Sequence, residues 1–546
     1  MKKHLVKILP AVFLAFVASF MLYIYEPILT YASNMDDFWF DFNLMMPNIL
    51  LYSIIMFGTL CMFYGLIYAV DKICFKKERM YKAILIISWI IFICTYIQGN
   101  YLTGSLPVLD GTTIVWKSFI KENIITVCIG VVFITLEIIA LKKMKYEKTI
   151  KINTFITLAV FVMLLASFAS ILTKPNLFKE KTIATATNDN IEKVSSDKNF
   201  FIFLADAVAS KNFNDVLKNS EEYSDILQDF TYFKDSAGGY AVTKDSIPLI
   251  LTGKWNKNEK EFNEFYIDAF NESKLFNSLE KKGYNMNLYE PELYFNRKNA
   301  KRFDNVVVDS DKVDQVSFFK QLTKYLLFKY LPYQLKRYAK IETADFKLCR
   351  INNEVSSYYD WADDVEYDIF KNKEVVVDSS KYFKFYHTEG GHVPYNYDED
   401  LNKIPEEEGT YEMKLKATLK MINEFIISLK ESGVYDNSVI IIMADHGIGP
   451  TKSRANPMLY IKGFDEHHDE TQTSEVPMSY EDLVDAYEEL LDGKKSIELF
   501  SNIDKNRERT YIENFFKDEN HLVEYVIKGK SYESENIEAT GVEYNR

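Results

Sequence analysis

The chain has 546 residues, 26% of them charged, with a net charge of −14, and is too long for one ordinary soluble domain. Residues 1–173 hold 15 Lys/Arg against 10 Asp/Glu, and that +5 leaves −19 on residues 174–546. An acidic second part without a basic, aromatic-interleaved stripe argues against nucleic acid as the partner.

Five apolar stretches, roughly 5–28, 47–70, 83–98, 123–141 and 152–173, approach the ~20 residues that a membrane-crossing helix needs. Lys2 and Lys3 precede the first. Lys72, Lys76, Lys77, Arg79 and Lys82 separate the second from the third, and Lys142, Lys143, Lys145, Lys148 and Lys151 separate the fourth from the fifth. The loop at 29–46 has no Lys or Arg, and the loop at 99–122 has only Lys117 and Lys121. Positive loops stay inside, so the pattern predicts an interior amino terminus, five crossings and an exterior carboxyl-terminal part. Trp39 and Trp116 then fall in exterior loops, suited to the interfacial belt. A cleaved signal peptide is the alternative for the first stretch, but its apolar core exceeds the usual length of about 7–15 residues. Glu137 is the one clear ionisable candidate within the spans, and a lone carboxylate is thin support for a transporter. The spans read as an anchor.

Residues 174–197 are predicted to be a polar linker, 198–507 the main exterior domain and 508–546 a small subdomain of antiparallel strands. Four of the five cysteines lie in or beside the spans, leaving only Cys349 in the polar part. One thiol cannot form an internal disulfide, so the domain relies on its core. Asn199–Ala205 is an apolar strand ending at Asp206, and a helical pattern follows from Asn212 to about Leu227. Gly238–Pro248, carrying Thr243, reads as a flexible turn leading into Leu249-Ile250-Leu251. Helix then strand recurs at 273–282 and 284–289. A strand at 382–386 enters the His387-Thr-Glu-Gly-Gly-His392 loop, and a long helix spans about 410–431. Val439–Met443 is an uncharged strand that stops at Asp445-His446-Gly447. A further strand (457–461) and helix (480–491) complete an α/β fold with a parallel, doubly wound sheet. The segment 317–331 is amphipathic. It suits a membrane surface or, more simply, packing on the domain with its lysines outward.

Open α/β sheets place their sites at the carboxyl ends of strands, where this chain offers Asp206, the Asp445-His446 pair and the turn bearing Thr243. Two carboxylates, an imidazole and a hydroxyl oxygen suit one Zn²⁺ or Mn²⁺. Such an ion makes a threonine alkoxide accessible near neutral pH. His387 and His392 sit in a Gly-Gly loop, from which imidazoles can steady phosphate oxygens or protonate a leaving group. Each piece has a plain structural alternative: Asp-His-Gly can be a capped turn, and a single histidine is commonly structural. The joint occurrence at strand ends is what points to a site.

The order of an acidic strand end, a Thr-x-Asp-Ser turn, a His-rich Gly loop and Asp-His-Gly resembles the alkaline phosphatase/sulfatase superfamily. Amino-terminal spans joined to such a domain look like the lipoteichoic acid synthases and the lipid A phosphoethanolamine transferases. The resemblance implies that Asp206, Thr243, Asp445 and His446 bind metal. It also implies that Thr243 is the nucleophile and that His392, with His387 as a second candidate, contacts substrate phosphate. Its further implications are a phospholipid donor, a cell-wall or capsular glycan acceptor and a multi-pass location in the cell membrane. The wealth of Lys, Asn and Ile suggests a low-GC Gram-positive source. Three departures stand out. Asp206 occupies a position where the transferases commonly have Glu. Ser246-Ile-Pro-Leu-Ile250 lacks the Arg of the sulfatase modification motif, which argues against a formylglycine sulfatase. Where a further His commonly follows the Asp-His strand, this chain has Ser453-Arg454-Ala455-Asn456, so Arg454 or Asn456 takes that place or it is empty. His467 and His468 fall in a polar loop and read as solvated. The expected activity is transfer of phosphoglycerol or phosphoethanolamine through a phospho-threonine. A phosphatase or phosphodiesterase on the same fold and a non-catalytic scaffold are the alternatives.

Overall fold

The computed structural model describes residues 2–35, 38, 40–75, 78–104, 106, 114–178, 184–308, 312–341, 345–346, 349–351, 357–515 and 518–545. Trp39, Lys76, Lys77 and residues 179–183 of the linker lie outside the described residues. The chain forms two units, Met1–Lys181 with Ser310–Asn352 and Thr182–Asp309 with Asn353–Arg546.

In the first unit, four helices among the described residues are long and apolar enough to cross a membrane: Lys7–Ser33, Phe42–Cys74, Arg79–Tyr101 and Trp116–Ile171. The sequence predicts five. The difference lies in the last helix, whose 56 residues contain both remaining apolar runs and would extend about 84 Å if straight. It is not straight, because Lys145 has non-helical torsions (φ 65°, ψ 155°). Before Lys145 the chain runs back along Arg79–Tyr101: Thr126 meets Gln98 at 2.8 Å and Phe133 packs on Trp89. After it, Phe161 packs on Phe13, Phe16 and Phe20, and Ser167 then meets Tyr25 at 3.0 Å. The two apolar runs therefore travel in opposite directions without a separating loop. The amphipathic segment is a helix, Gln315–Tyr330, and belongs to this unit.

The second unit is built on a seven-stranded sheet. Its strands are β1 (Asn199–Ala205), β2 (Thr231–Phe233), β3 (Tyr284–Tyr289), β4 (Lys381–Thr388), β5 (Ser438–Met443), β6 (Leu459–Lys462) and β7 (Gln472–Ser474), in the order β7-β2-β6-β5-β1-β4-β3. Every residue of β1 and β5 is buried, as uncharged runs covered on both faces should be. Phe201 and Phe203 pack on Phe425 of the Tyr411–Glu431 helix. Phe200 faces the other way, onto Tyr487 of the Leu483–Leu491 helix. Each such ring contributes roughly 1.5–3 kcal/mol by leaving water.

The sheet is mixed rather than wholly parallel. β3, β4, β1 and β5 are parallel, but β6 runs antiparallel to both β5 and β2. The link from β5 to β6 is taken up by the Asp-His-Gly turn and the short 3-10 turn Thr451–Arg454 and holds no crossover α-helix, so the chain returns as an antiparallel neighbour. Two boundaries also move. The helix after β1 is Ser210–Asn219, shorter than expected. The stretch read as a flexible turn becomes helical at Thr243, forming the Thr243–Thr252 helix. At 509–545 three antiparallel strands form a separate small sheet.

Candidate metal and catalytic centre

Register brings the site together. Met443 of β5 pairs with Leu204 of β1, so two residues further on Asp445 arrives beside Asp206. His387 of β4 also pairs with Leu204, and Tyr386 pairs with Tyr289 of β3. That step sets Glu290, the residue after β3, beside His387. Four adjacent strand ends thus deliver acids and imidazoles to one edge of the sheet.

Asp206, Asp445 and His446 are buried, and each offers a ligand atom within 4.8 Å of the others'. His446 Nε2 lies 3.3 Å from Asp445 Oδ2 and 3.7 Å from Asp206 Oδ1. Its Nδ1 is 2.8 Å from the Gly447 carbonyl, a group that only accepts, so Nδ1 carries the proton and Nε2 keeps its lone pair. Asp445 Oδ1 accepts from the backbone N–H groups of Ala207 (3.0 Å) and His446 (2.8 Å), which fixes the carboxylate plane. Asp445 Oδ2 and Asp206 Oδ1 are buried without any hydrogen-bond partner. Buried polar atoms are rarely left so. Two orphaned carboxylate oxygens beside an imidazole lone pair fit one divalent cation.

Thr243 stands at the amino-terminal end of its helix and is half-buried. Its hydroxyl donates to Asp206 Oδ2 at 3.3 Å and lies 3.4 Å from His446 Nε2. The four residues expected to hold metal are therefore together, with the threonine on the open side. The helix amino terminus also favours a negative charge at that point.

The two carboxylates are electrostatically unlike. Burial pushes Asp206 up, but the surrounding imidazoles, His392 first and then His387, outweigh it and hold its pKa below the usual carboxylate range. Burial and the neighbouring Asp206 charge push Asp445 up, only partly offset by His446 and His387. Two acids sharing a site without a counter-cation part in this way. A divalent ion between them would favour ionisation of both.

His387 is buried, with Nδ1 2.8 Å from Glu290 Oε2 and Nε2 3.6 Å from Asp206 Oδ2. Burial lowers its pKa, yet Glu290 and Asp206 raise it well above the ordinary histidine value. His392 is half-buried and donates from Nδ1 to the Val393 carbonyl at 2.5 Å. The Trp361 ring lies between the two histidines, 5.5 Å from His387 and 5.4 Å from His392. The Gly-Gly loop does allow a close approach, since a Cβ on Gly390 would meet the Asp206 backbone nitrogen at 2.7 Å. Arg454 donates to the carbonyls of Gly449 (2.8 Å) and Ala241 (3.1 Å), joining the loop after Asp445-His446 to the turn before Thr243. Asn456 is buried and gives its amide N–H groups to the Lys234 and Ser236 carbonyls and to Ser531. That is a structural role. His467 is exposed beside Asp436.

Sequence reasoning missed Glu290 and Trp361. A carboxylate immediately after a strand was the same signal that marked Asp206, and Glu290 carries it. Trp361 sits just before the Asp363–Asn372 helix and gives no comparable signal. Behind the histidine loop lies a buried acidic group. Asp363 accepts from the backbone of Glu389 (2.7 Å) and Gly390 (3.2 Å), and Glu389 pairs with buried Lys414 at 2.5 Å.

The Sulfatase family model matches residues 198–479, more than half of the chain. The chain belongs to the sulfatase family. No curated protein sequence matches it. Among solved structures, this sulfatase-family chain is similar to Ps i-CgsB in complex with k-i-k-neocarrahexaose, at 13% identity and a TM-score of 0.43 over 61% of this chain and 82% of that one. It is also similar to an alkaline phosphatase superfamily protein from Vibrio parahaemolyticus (14%, TM-score 0.38, 66% and 85%). A phosphonate monoester hydrolase from Silicibacter pomeroyi is another match (11%, TM-score 0.35, 62% and 87%).

Proposed function

We propose that this sulfatase-family protein is a membrane-anchored, metal-dependent transferase. It moves a phosphoglycerol or phosphoethanolamine group from a phospholipid to a cell-wall or capsular glycan outside the cell membrane. The observation that carries the reading is the Thr243 hydroxyl, half-open and within 3.4 Å of both Asp206 and His446. Asp206, Asp445, His446 and Thr243 would hold one Zn²⁺ or Mn²⁺. When bound, that ion supplies positive charge that lowers the threonine pKa and steadies phosphate oxygens.

Thr243 Oγ1, its proton released to solvent on the open side of the site, attacks phosphorus. The bond from phosphorus to the diacylglycerol oxygen breaks, and that oxygen takes a proton from protonated His392. A glycan hydroxyl then attacks phosphorus and gives its proton to the now neutral His392, the threonine oxygen leaves and is reprotonated from solvent, and the glycan carries the phospho-group. His387, held by Glu290, and Arg454 are proposed to orient the anionic group rather than to exchange protons. A lipid donor explains the apolar helices, because the reactive bond then lies at the membrane surface.

The test is purified full-length protein with labelled phosphatidylglycerol, with and without a glycan acceptor. Acceptor-dependent release of diacylglycerol supports the transferase. Equally fast release into water alone assigns a phosphodiesterase instead.

A further inference from the structure

Residues 312–351 leave and re-enter the chain at one place, because Lys312-Val313 pairs antiparallel with Arg350-Ile351. Within this excursion the Gln315–Tyr330 helix is capped at both ends. Asp314 accepts from the Val316 and Ser317 N–H groups (2.9 and 3.0 Å), and Lys336 donates to the carbonyls of Phe328 and Lys329 (2.5 and 2.6 Å).

The helix is seated on one end of the spans. Glu26 in the first span is fully buried. It accepts from Tyr325 (2.9 Å), Tyr330 (2.8 Å), Thr30 (3.3 Å) and Lys329. Gly99 in the third span has no side chain where the Tyr330 ring lies, and a Cβ there would overlap it. Tyr52 in the second span donates to the Gln315 carbonyl at 2.6 Å, and Phe119 at the start of the last stacks on Tyr333 at 4.8 Å. All of these belong to the same end of the bundle. Lys7, Glu78 and Tyr81 meet at the other, beside Lys82 and Tyr146.

One face of the seated helix remains uncovered. Val316 is 80% exposed and Leu327 46%, eleven residues or three turns apart, and Leu335 follows at 46%; Phe319, packed on Tyr23 and Tyr52, keeps 38% at the edge of this stripe. Beside them Leu50, Leu51, Ile54 and Ile55 of the second span, flanking Tyr52, are also exposed. Lys320 and Arg337 are exposed on the same segment. An apolar stripe continuous with lipid-facing residues and edged by long cations is how a helix sits in the boundary between headgroups and acyl chains.

We propose that the Gln315–Tyr330 helix and the turn through Arg337 are a membrane-surface element of the helical unit. Glu26 and Gly99 lock it onto the ends of the spans, and it presents Val316, Phe319, Leu327 and Leu335 to the phospholipid headgroup layer. The lysine and arginine favour anionic lipid there.

The experiment places the full-length chain in phosphatidylcholine vesicles, with or without phosphatidylglycerol. A phospholipid bearing a photoreactive group near its glycerol end is included, and adducts are mapped by peptide mass spectrometry. Adducts on peptides covering 315–338 at a frequency comparable to the spans, rising with phosphatidylglycerol, are the expected result. Adducts on the spans with none on 315–338 overturn the proposal, whether water or a second copy of the chain covers the stripe. Gly99→Ala unseats Tyr330 and is expected to lose most of the 315–338 adducts while keeping those on the spans. Should that variant fail to insert, Glu26→Gln, nearly identical in shape, is expected to lose them instead. Unchanged adducts in the inserted variants would remove the lock.

Discussion

Each unit buries carboxylates, and the two sets are finished differently. Around Glu26 both oxygens accept hydrogen bonds, from three hydroxyls of tyrosine and threonine type at Oε1 and Oε2 and from the Lys329 ammonium. Around Asp206 and Asp445, one oxygen of each has no partner, although three histidine rings stand nearby. The first set is closed, with charge and hydrogen bonds balanced by the chain itself, as a lock requires. The second is balanced only when something from outside is added. An unsatisfied buried oxygen costs about 1–3 kcal/mol, and a site that retains two of them is built to receive a cation.

Removing the proposed nucleophile should separate the two sets most sharply. Thr243→Ala is expected to lower lipid turnover on the order of 10⁴-fold, while thermal unfolding of the metal-loaded protein barely moves. Turnover assays and a melting curve check both halves. Next, Asp445→Asn is expected to abolish metal uptake measured by elemental analysis. It should also remove the thermal stabilisation that added Mn²⁺ or Zn²⁺ gives, about 2.7 kcal/mol when the ion is at a hundredfold its Kd. Stabilisation persisting in that variant would place the ion elsewhere.

The closed set breaks differently. Glu26→Gln leaves Lys329 facing a neutral group, and loss of one partner of a buried pair costs about 3–5 kcal/mol. Limited proteolysis should then cut within 312–351 far faster, with metal uptake unchanged. A further effect expected is one of pH. Burial, with Glu389 adding to it and Lys414 opposing it, pushes Asp363 up to about 7 from 3.8. Because the folded protein holds this proton more tightly than the unfolded chain, the contribution favours folding at low pH. It falls as pH rises from about 4 to about 7. Asp363→Asn should flatten that part of the stability–pH curve, measured by denaturant unfolding at several pH values.

Much of the open set was legible in the chain. Uncharged runs ending in Asp206 and in Asp445-His446 declared themselves as strands with polar ends, and the parallel register did the rest. Gly390 was readable as a point of close approach. Glu290 was not singled out, because its importance depends on β3 lying next to β4, and strand order is a tertiary fact. The closed set was hidden for a similar reason. Glu26 follows an apolar run and looks like a span-terminating residue until Lys329, some 300 positions later, is brought beside it. The last two spans were each visible as apolar runs, but not that a reversal at the single non-helical residue Lys145 would join them.

The most direct measurement is the mass of the Thr243 peptide after the metal-loaded, full-length protein meets membrane phospholipid without acceptor. The account predicts an increment equal to phosphoglycerol or phosphoethanolamine on Thr243, absent when metal is chelated. An unmodified Thr243 in a protein that is visibly turning over lipid would contradict it.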